Sequence, residues 1–260
     1  MSSPAGGNPT ADFTRDGYRS LVAGLLERGY STVGYDAVAP DERHLVLRHD
    51  LDMSIDAAVA IAEIEAELGV MAHYFVLLRT EMYNPWSDHG RRQLARIAGL
   101  GHEIGLHLDA SLYPDDVAAL NHAAAEECAV LAALTGRPVD MISFHRPSSA
   151  LLGWSDDVAG RAHSYQPRYF HEIGYCSDSR GAWHHGHPLD HAAIGEGRAL
   201  QLLTHPIWWD RDAALDPVAA LDGFRAARDT VLMQALADNC EPYRAARRAS
   251  PDDSTEPTNG

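Results

Sequence analysis

The sequence of 260 residues contains few cysteines, and those it has are not arranged in pairs. Cys128, Cys176 and Cys240 are odd in number, widely spaced and without a CxxC motif. A disulfide framework needs an even set of cysteines and a structural zinc knuckle needs closely spaced thiols, so neither is supported. Free thiols of this kind are typical of a protein in a reducing compartment.

Basic residues and long apolar runs are also scarce. Lysine and arginine number 21 against 37 aspartates and glutamates, which gives a net charge of −16. This excess of negative charge argues against a nucleic-acid backbone or an anionic membrane as partner. Residues 1–12 are rich in Ser, Pro and Gly and carry no basic segment followed by an apolar run, so we expect a disordered start without a signal peptide or membrane span. We therefore expect a cytoplasmic protein that acts on a small molecule.

Hydrophobic residues make up 45% of the chain, which is enough for the core of one large domain. Short apolar runs alternate with segments of helical periodicity, and this alternation predicts a parallel sheet with crossover helices. We predict a single distorted (β/α) barrel of roughly seven parallel strands, with the active site at the carboxyl ends of the strands. The predicted barrel covers residues 13–245 and is followed by a disordered tail over residues 246–260. The apolar runs are residues 45–47, 71–78, 101–107, 139–144, 174–177 and 199–204, and the helical segments are residues 16–28, 54–69, 91–100, 114–135 and 216–238.

The most informative polar cluster follows the first apolar run. Asp50 and Asp52 are one residue apart, so on an extended backbone their side chains point the same way. Two like charges this close repel each other and are best tolerated with a cation or a proton between them. A loop in which Asp52 stabilises the helix starting near Ser54 is the structural alternative. We prefer a metal site because the other strand ends supply compatible side chains, namely His107, His145, Arg146, Asp178 and His205.

Four segments in a fixed order resemble the polysaccharide deacetylase (NodB-homology) family. They are Arg48-His49-Asp50-Leu51-Asp52, the run from Gly101 to His107, Phe144-His145-Arg146-Pro147 and Leu203-Thr204-His205. The resemblance covers about residues 40–210. It implies a metal-dependent N- or O-deacetylase on a distorted (β/α) barrel.

The resemblance also implies a role for each matching residue. Asp50 corresponds to the catalytic base, Asp52 and His107 to metal ligands, Arg146 to the arginine that orients the base, and His205 to the catalytic acid, with Asp178 holding His205 in the right tautomer. The family commonly has a second ligand histidine four residues after the first, but Ser111 stands at that place. A hydroxyl is a poor zinc ligand. His145 is the preferred replacement and Asp109 the second choice.

Other aromatic and histidine residues have two or more interpretations. Tyr83, Trp183 and Trp208 are candidates for contacts with a sugar, although aromatic side chains also pack at the edge of a barrel. The loop from His184 to His191 contains four histidines. It could bind a metal by itself, form the rim of the substrate site, or be a solvated loop.

We expect a divalent metal ion, zinc first, and a hydrolase that removes an N-acyl group, acetyl first, from a small sugar, amino sugar or nucleotide-linked sugar. In this hypothesis Asp50 takes a proton from the attacking water and His205 protonates the departing amine. Three alternatives remain. They are an amidase acting on a cyclic imide or ureide, a barrel that binds a ligand without turnover, and an iron-dependent oxygenase using Asp52, His107 and His145.

Overall fold

A computed structural model describes residues 13–114 and 116–249. Within these ranges the chain forms two compact units, residues 13–215 and residues 216–249. We predicted one domain over residues 13–245, and the division after Leu215 follows a polar stretch that carries Asp210, Arg211 and Asp212. The predicted disorder of residues 1–12 and 250–260 lies outside the described residues.

The larger unit is built on one sheet in which every pair of neighbouring strands is parallel. The strands are Ser31–Thr32 (β1), His44–Leu51 (β2), His73–Leu77 (β3), Glu103–Asp109 (β4), Met141–His145 (β5), Ala162–His163 (β6), Gly174–Ser177 (β7) and Leu200–Thr204 (β8). Seven of them follow the order β6-β5-β4-β3-β2-β8-β7, and β1 pairs with the first residues of β2. The prediction of an α/β fold with about seven parallel strands is confirmed.

Contacts between strands that are not neighbours show that the sheet is curled. Ser143 of β5 lies within hydrogen-bond distance of Arg48 of β2, although β4 and β3 stand between these strands in the sheet. The side-chain amide of Gln201 on β8 donates to the carbonyl of Ser164, just beyond β6, at 3.3 Å. The two ends of the sheet therefore approach each other, as in a barrel that is not fully closed.

The larger unit also contains helices, and all but the first of them lie between successive strands. They are Arg15–Glu27 (α1), Ile55–Leu68 (α2), Asp88–Gly99 (α3), Val117–Thr135 (α4), Pro167–Phe170 (α5) and Ala192–Glu196 (α6). Ser54 Oγ accepts the N–H of Ala57 at the start of α2, and Gly69 ends the helix in the left-handed conformation. We predicted that α4 begins at Pro114. It begins at Val117 because the carboxylate of Asp116 accepts the first free N–H groups of the helix.

By length and composition alone, α4 could cross a membrane, with a mean hydropathy of 1.3. A buried core helix passes the same test. In this structure α4 contacts β4 and α3, and Leu120, Ala124 and Leu131 are buried. It is therefore a packing helix of the larger unit.

The smaller unit consists of Pro217–Asn239 (α7) and Glu241–Ala249 (α8). Asp216 accepts N–H groups at the start of α7, where we predicted a helix. Residues 246–249, which we assigned to the tail, belong to α8. The alanines and arginines there are strong helix formers, which explains the difference.

The strand register places the candidate site at one edge of the sheet. Asp109 at the end of β4 is paired with His145 at the end of β5, and His49 of β2 is paired with Thr204 at the end of β8. His107 lies beside Leu77, the last residue of β3. The carboxyl ends of β2, β4, β5 and β8 therefore meet, as predicted for a parallel sheet.

Candidate active site

Asp50 forms a buried ion pair with the arginine two residues before it. Arg48 Nε lies 3.0 Å from Asp50 Oδ1, and a terminal nitrogen of Arg48 lies 2.7 Å from Asp50 Oδ2. Both side chains are buried, and Ser143 Oγ lies 3.3 Å from Asp50 Oδ1. Residues 48, 50 and 52 share one side of the extended chain, so β2 directs the arginine and both carboxylates to the same place. Burial opposes ionisation, but Arg48 and His107 hold the pKa of Asp50 below its usual value, so the carboxyl is anionic at neutral pH.

The contact with Arg48 corrects the predicted role of Arg146. The orienting arginine of Asp50 is Arg48 because it shares the inward face of β2 with Asp50. Arg146 follows the end of β5 with a φ of 50°, and its side chain is exposed. This left-handed backbone turns the chain out of the strand direction.

Asp52, His107 and His145 come together at the ends of β2, β4 and β5. His107 Nε2 lies 3.0 Å from Asp52 Oδ1, and His145 Nδ1 lies 3.4 Å from the same oxygen. One ligand atom from each residue lies within 4.8 Å of the other two. Although burial opposes ionisation, hydrogen bonds from His107 and His145 hold the pKa of Asp52 well below its usual range. These are the three residues for which the sequence predicted metal binding.

The spacing of these donor atoms fits a divalent ion. Two ligand atoms each about 2.1 Å from a tetrahedral ion lie about 3.4 Å apart, close to the separations seen here. Two imidazoles and one carboxylate are also a donor set that zinc accepts. The ring of His107 packs edge-on against His145, with centroids 5.1 Å apart. The distances from Asp52 to both imidazoles are therefore compatible with a shared metal ion.

The two other candidates for the third ligand have different contacts. Asp109 Oδ1 accepts the backbone N–H of Ser111 at 3.1 Å and the hydroxyl of Ser111 at 2.6 Å, which starts a short 3₁₀ turn. Among the described residues, Asp109 does not belong to the group that meets the distances for a shared ion, and the hydroxyl of Ser111 is a poor zinc ligand. The geometry favours His145 over Asp109 and Ser111.

On the other side of Asp52, His205 is paired with Asp178. His205 Nδ1 lies 2.6 Å from Asp178 Oδ1, while His205 Nε2 faces the triad and lies 3.8 Å from Asp52 Oδ2. The indole N–H of Trp209 donates to Asp178 Oδ2 at 2.7 Å. Burial alone would lower the pKa of His205, but Asp178, together with Asp52 and Asp50, outweighs burial and raises this pKa to about 9. His205 is therefore a cation at neutral pH, with its outer nitrogen directed at the site.

Two of the three aromatic residues predicted to contact substrate, Tyr83 and Trp208, are buried. Tyr83 is buried, and its hydroxyl donates to the carbonyl of Leu51 and accepts the N–H of Leu77, so it ties the ends of β2 and β3 together. Trp208 is only 6% exposed, too little to stack on a sugar ring. Trp183 is half-buried beside Phe13 and Trp209, with ring centroids 5.6 and 5.8 Å away. The structure therefore assigns packing roles to Tyr83 and Trp208.

The histidine-rich loop contains local capping contacts. His187 Nδ1 accepts the N–H of Leu189, and His191 Nδ1 accepts the N–H of Ala193 at the start of α6. Among the described residues, the histidines of this loop form no group of three ligand atoms close enough to share an ion. Two of the four histidines thus serve the local fold.

Several residues of the site were not identified from the sequence. Ser143 and Tyr165 both contact Arg48, and Trp209 contacts Asp178. The i, i+2 spacing of Arg48 and Asp50 was a usable signal, because it places both on one face of a strand. Ser143 and Tyr165 come from distant segments and carry no such signal.

A second polar group lies on the opposite face of β2. His49 Nε2 lies 2.8 Å from Glu65 Oε1, and His49 Nδ1 lies 2.8 Å from Thr204 Oγ1. The hydroxyls of Tyr18 and Tyr74 donate to the two oxygens of Glu65 at 2.6 and 2.5 Å. All of these side chains are buried. This group fixes β2 from the outside while Arg48 and Asp50 face inward.

Comparison with known proteins returns similarity of structure only. No protein-family model and no curated protein sequence matches the chain. Solved structures that resemble it include the deacetylase PplD of Streptococcus pyogenes in complex with acetate (13% identity, 78% of this chain and 87% of that chain, TM-score 0.46). A family 4 carbohydrate esterase of Bacillus anthracis (15% identity, 80% and 85%, TM-score 0.42) and a family 4 acetyl xylan esterase of Clostridium thermocellum in complex with a cobalt ion (16% identity, 72% and 83%, TM-score 0.38) are also similar. At these identities and TM-scores the comparison does not by itself assign an activity.

Proposed function

We propose that this protein is a divergent, metal-dependent deacetylase of the polysaccharide deacetylase (NodB-homology) type. Its substrate would be an N-acylated small sugar, amino sugar or nucleotide-linked sugar, with acetyl as the first choice of acyl group. The observation that carries the proposal is the placement of three different groups around Asp52. An anionic carboxylate, Asp50, lies 3.7 Å from His107 of the candidate metal triad, and a cationic imidazole, His205, lies 3.8 Å from Asp52 of the same triad.

Asp52, His107 and His145 would hold the ion, and zinc suits their two nitrogens and one carboxylate. When bound, zinc would supply a Lewis acid that polarises the amide carbonyl and makes water more acidic. Asp50 is suited to accept the proton of the attacking water because it is anionic and kept so by Arg48. His205 is suited to protonate the departing amine because Asp178 keeps its outer nitrogen protonated and directed at the site.

The test is acetate release from N-acetylglucosamine and from its nucleotide-linked form by zinc-loaded protein. Replacement of Asp50 by asparagine should lower kcat by about 10²- to 10⁴-fold, the usual contribution of a general base, while zinc stays bound. Asp56→Asn is the matched control, because Asp56 is exposed on α2 and contacts His89. Full activity in Asp50→Asn would refute its role as base.

Three further measurements on the purified protein separate the alternatives. Activity on a cyclic imide or ureide without acetate release would identify an amidase that uses the same residues. Oxygen uptake by iron-loaded protein would identify an oxygenase, since Asp52, His107 and His145 are also two histidines and one carboxylate. Stoichiometric substrate binding without turnover or metal would identify a binding protein.

We also propose a reducing compartment, the cytoplasm, as the place of action. Cys128, Cys176 and Cys240 are all free, and Cys240 is exposed. Exposed free thiols persist where disulfides are kept reduced. Localisation of the tagged protein in its native host tests this proposal, and secretion would contradict it.

A further inference from the structure

Arg146 has no task in the chemistry derived above, although it directly follows a candidate metal ligand. Arg48 takes the position beside Asp50 that the motif assigned to Arg146. Arg146 is exposed, and within the described residues it makes no hydrogen bond or ion pair. Its peptide neighbour His145 lies 3.4 Å from Asp52. The guanidinium is therefore free to bind a ligand from solution near the candidate metal ligand His145.

The side chain of Arg146 lines a cavity of about 450 Å³. The walls come from the segment after β4, which carries Ser111 and Tyr113, and from the segment after β5, which carries Ser148, Leu151 and Trp154. Ala110 directly follows Asp109, the strand partner of His145, and Arg146 directly follows His145, so the cavity lies next to the ends of β4 and β5. A volume of this size is in the range of sites for small molecules.

The wall of the cavity is mostly apolar and contains a single described cationic side chain, that of Arg146. The described acidic residue of the lining is Asp116, whose two carboxylate oxygens accept the N–H groups of Ala118 and Ala119 at the start of α4. The helix N-terminus offsets much of this negative charge. Among the described residues that line the cavity, the guanidinium of Arg146 is thus the charged group most available to a ligand. A planar guanidinium binds phosphate or carboxylate with two parallel hydrogen bonds.

We propose that Arg146 binds an anionic group, a phosphate or a carboxylate, that the substrate carries beside its acylated amine. This inference rests on the proposed function, because it names the class of substrate for the same site. The net charge of −16 disfavours anionic ligands in general. A preference for an anionic substrate must therefore come from a local cation. His205 is paired with Asp178 and is assigned to the departing amine, so Arg146 is the cation left to bind the anionic group.

The experiment measures binding rather than turnover. Zinc-loaded protein carrying Asp50→Asn is titrated by calorimetry with three probes: neutral N-acetylglucosamine, its 1-phosphate, and N-acetylmuramic acid, which carries a carboxylate. We expect at least one anionic probe to bind about 10- to 100-fold tighter than the neutral one, as is usual for hydrogen bonds to a charged group. The probe that shows the preference identifies the anion as phosphate or carboxylate.

Adding Arg146→Gln should reduce the preference to about twofold or less. Arg137→Gln is the matched control, since Arg137 is exposed outside the cavity and the same charge is removed. Equal binding of all three probes, no binding of either anionic probe, or a preference that survives Arg146→Gln would overturn the inference. Loss of the proposed hydrolase activity is a separate result, because acetate release is measured on protein with Asp50 intact.

Discussion

Asp50 and Asp52 are separated by one residue, yet their carboxylates have different neighbours. Asp50 contacts the guanidinium of Arg48, whereas Asp52 contacts the imidazoles of His107 and His145. An arginine cannot give up its proton, so Asp50 keeps a permanent cationic partner. Neutral imidazoles can bind a metal together with Asp52. The two carboxylates can therefore have separate roles.

Asp178 controls the charge of His205, and this predicts a change in the pH profile. An acid catalyst works in its protonated form, so kcat should fall as the pH rises through the pKa of His205. Asp178, with smaller contributions from Asp52 and Asp50, raises that pKa to about 9 against the effect of burial. In Asp178→Asn the main charge that raises the pKa of His205 is lost, and the fall of kcat should move to lower pH. Profiles of kcat from pH 6 to 10 for both proteins check this, with exposed Asp190→Asn as control. An unchanged profile would contradict it.

The sequence allowed the triad to be anticipated because each member stands at the end of a recognisable strand. Ser111 at the expected ligand position directed attention to His145, and the structure places His145 beside Asp52. The role of Arg146 was misassigned because a motif records the order of residues but not the direction of a side chain. The left-handed backbone at Arg146 and the exposure of its side chain are visible only in the structure.

At the scale of elements, β2 is held on both faces by polar groups. On its outer face, His49 contacts Glu65 of α2, Tyr18 of α1 and Thr204 of β8. Tyr74 of β3 joins the same group by donating to Glu65. Two helices and three strands thus depend on one buried carboxylate. Burial raises the cost of charging Glu65, but His49 keeps the pKa of this carboxyl below its usual value.

Replacement of Glu65 by leucine should destabilise the protein strongly. His49 and the hydroxyls of Tyr18 and Tyr74 would lose a partner inside the protein, and breaking a buried charged pair costs about 3 to 5 kcal/mol. Urea unfolding measures the change in the free energy of unfolding. Glu63→Leu is the control, because Glu63 pairs with Arg96 at the surface, where such pairs contribute about 0 to 1 kcal/mol. Similar stabilities of the two variants would argue against the role of the network.

Long elements could be predicted from the sequence, and very short ones could not. α2 has a serine cap and a terminal glycine around a periodic apolar face, so its limits were visible. β1 and β6 contain two residues each, too few for any period to appear. They exist because neighbouring strands offer them hydrogen-bond partners.

At the scale of the whole molecule, alternation of strands and helices was enough to predict a parallel sheet. A barrel was predicted from this alternation and from the family resemblance, but no local pattern shows where the sheet curls. The curl is seen in the contact of Arg48 with Ser143, which are 95 residues apart in sequence. Contacts of this kind depend on the packing of all elements together.

The protein should lose stability in mild acid because it buries a neutral histidine. Burial lowers the pKa of His73 from 6.5 to about 4. Below pH 6.5 the unfolded chain binds a proton at His73 that the folded chain does not, so the free energy of unfolding falls as the pH drops towards 4. The loss from His73 should reach about 3 kcal/mol. Unfolding of chelator-treated protein from pH 7 to 4 measures it.

The His73→Gln variant should show a shallower decline over the same range, since glutamine does not titrate. His122→Gln is the control, because His122 is exposed on α4 and its side chain reaches solvent. A decline in His73→Gln as steep as in the native sequence would assign the acid sensitivity to other groups.

The metal content of the purified protein tests the central claim most directly. We predict about one zinc ion per chain after zinc loading and removal of excess metal, because Asp52, His107 and His145 provide three suitable ligands. Zinc should remain in Asp50→Asn and Ser111→Ala, and it should be lost or greatly weakened in Asp52→Ala, His107→Ala and His145→Ala. A native protein that never holds a stoichiometric metal ion, or a His145→Ala variant that holds it as tightly as the native protein, would contradict this account.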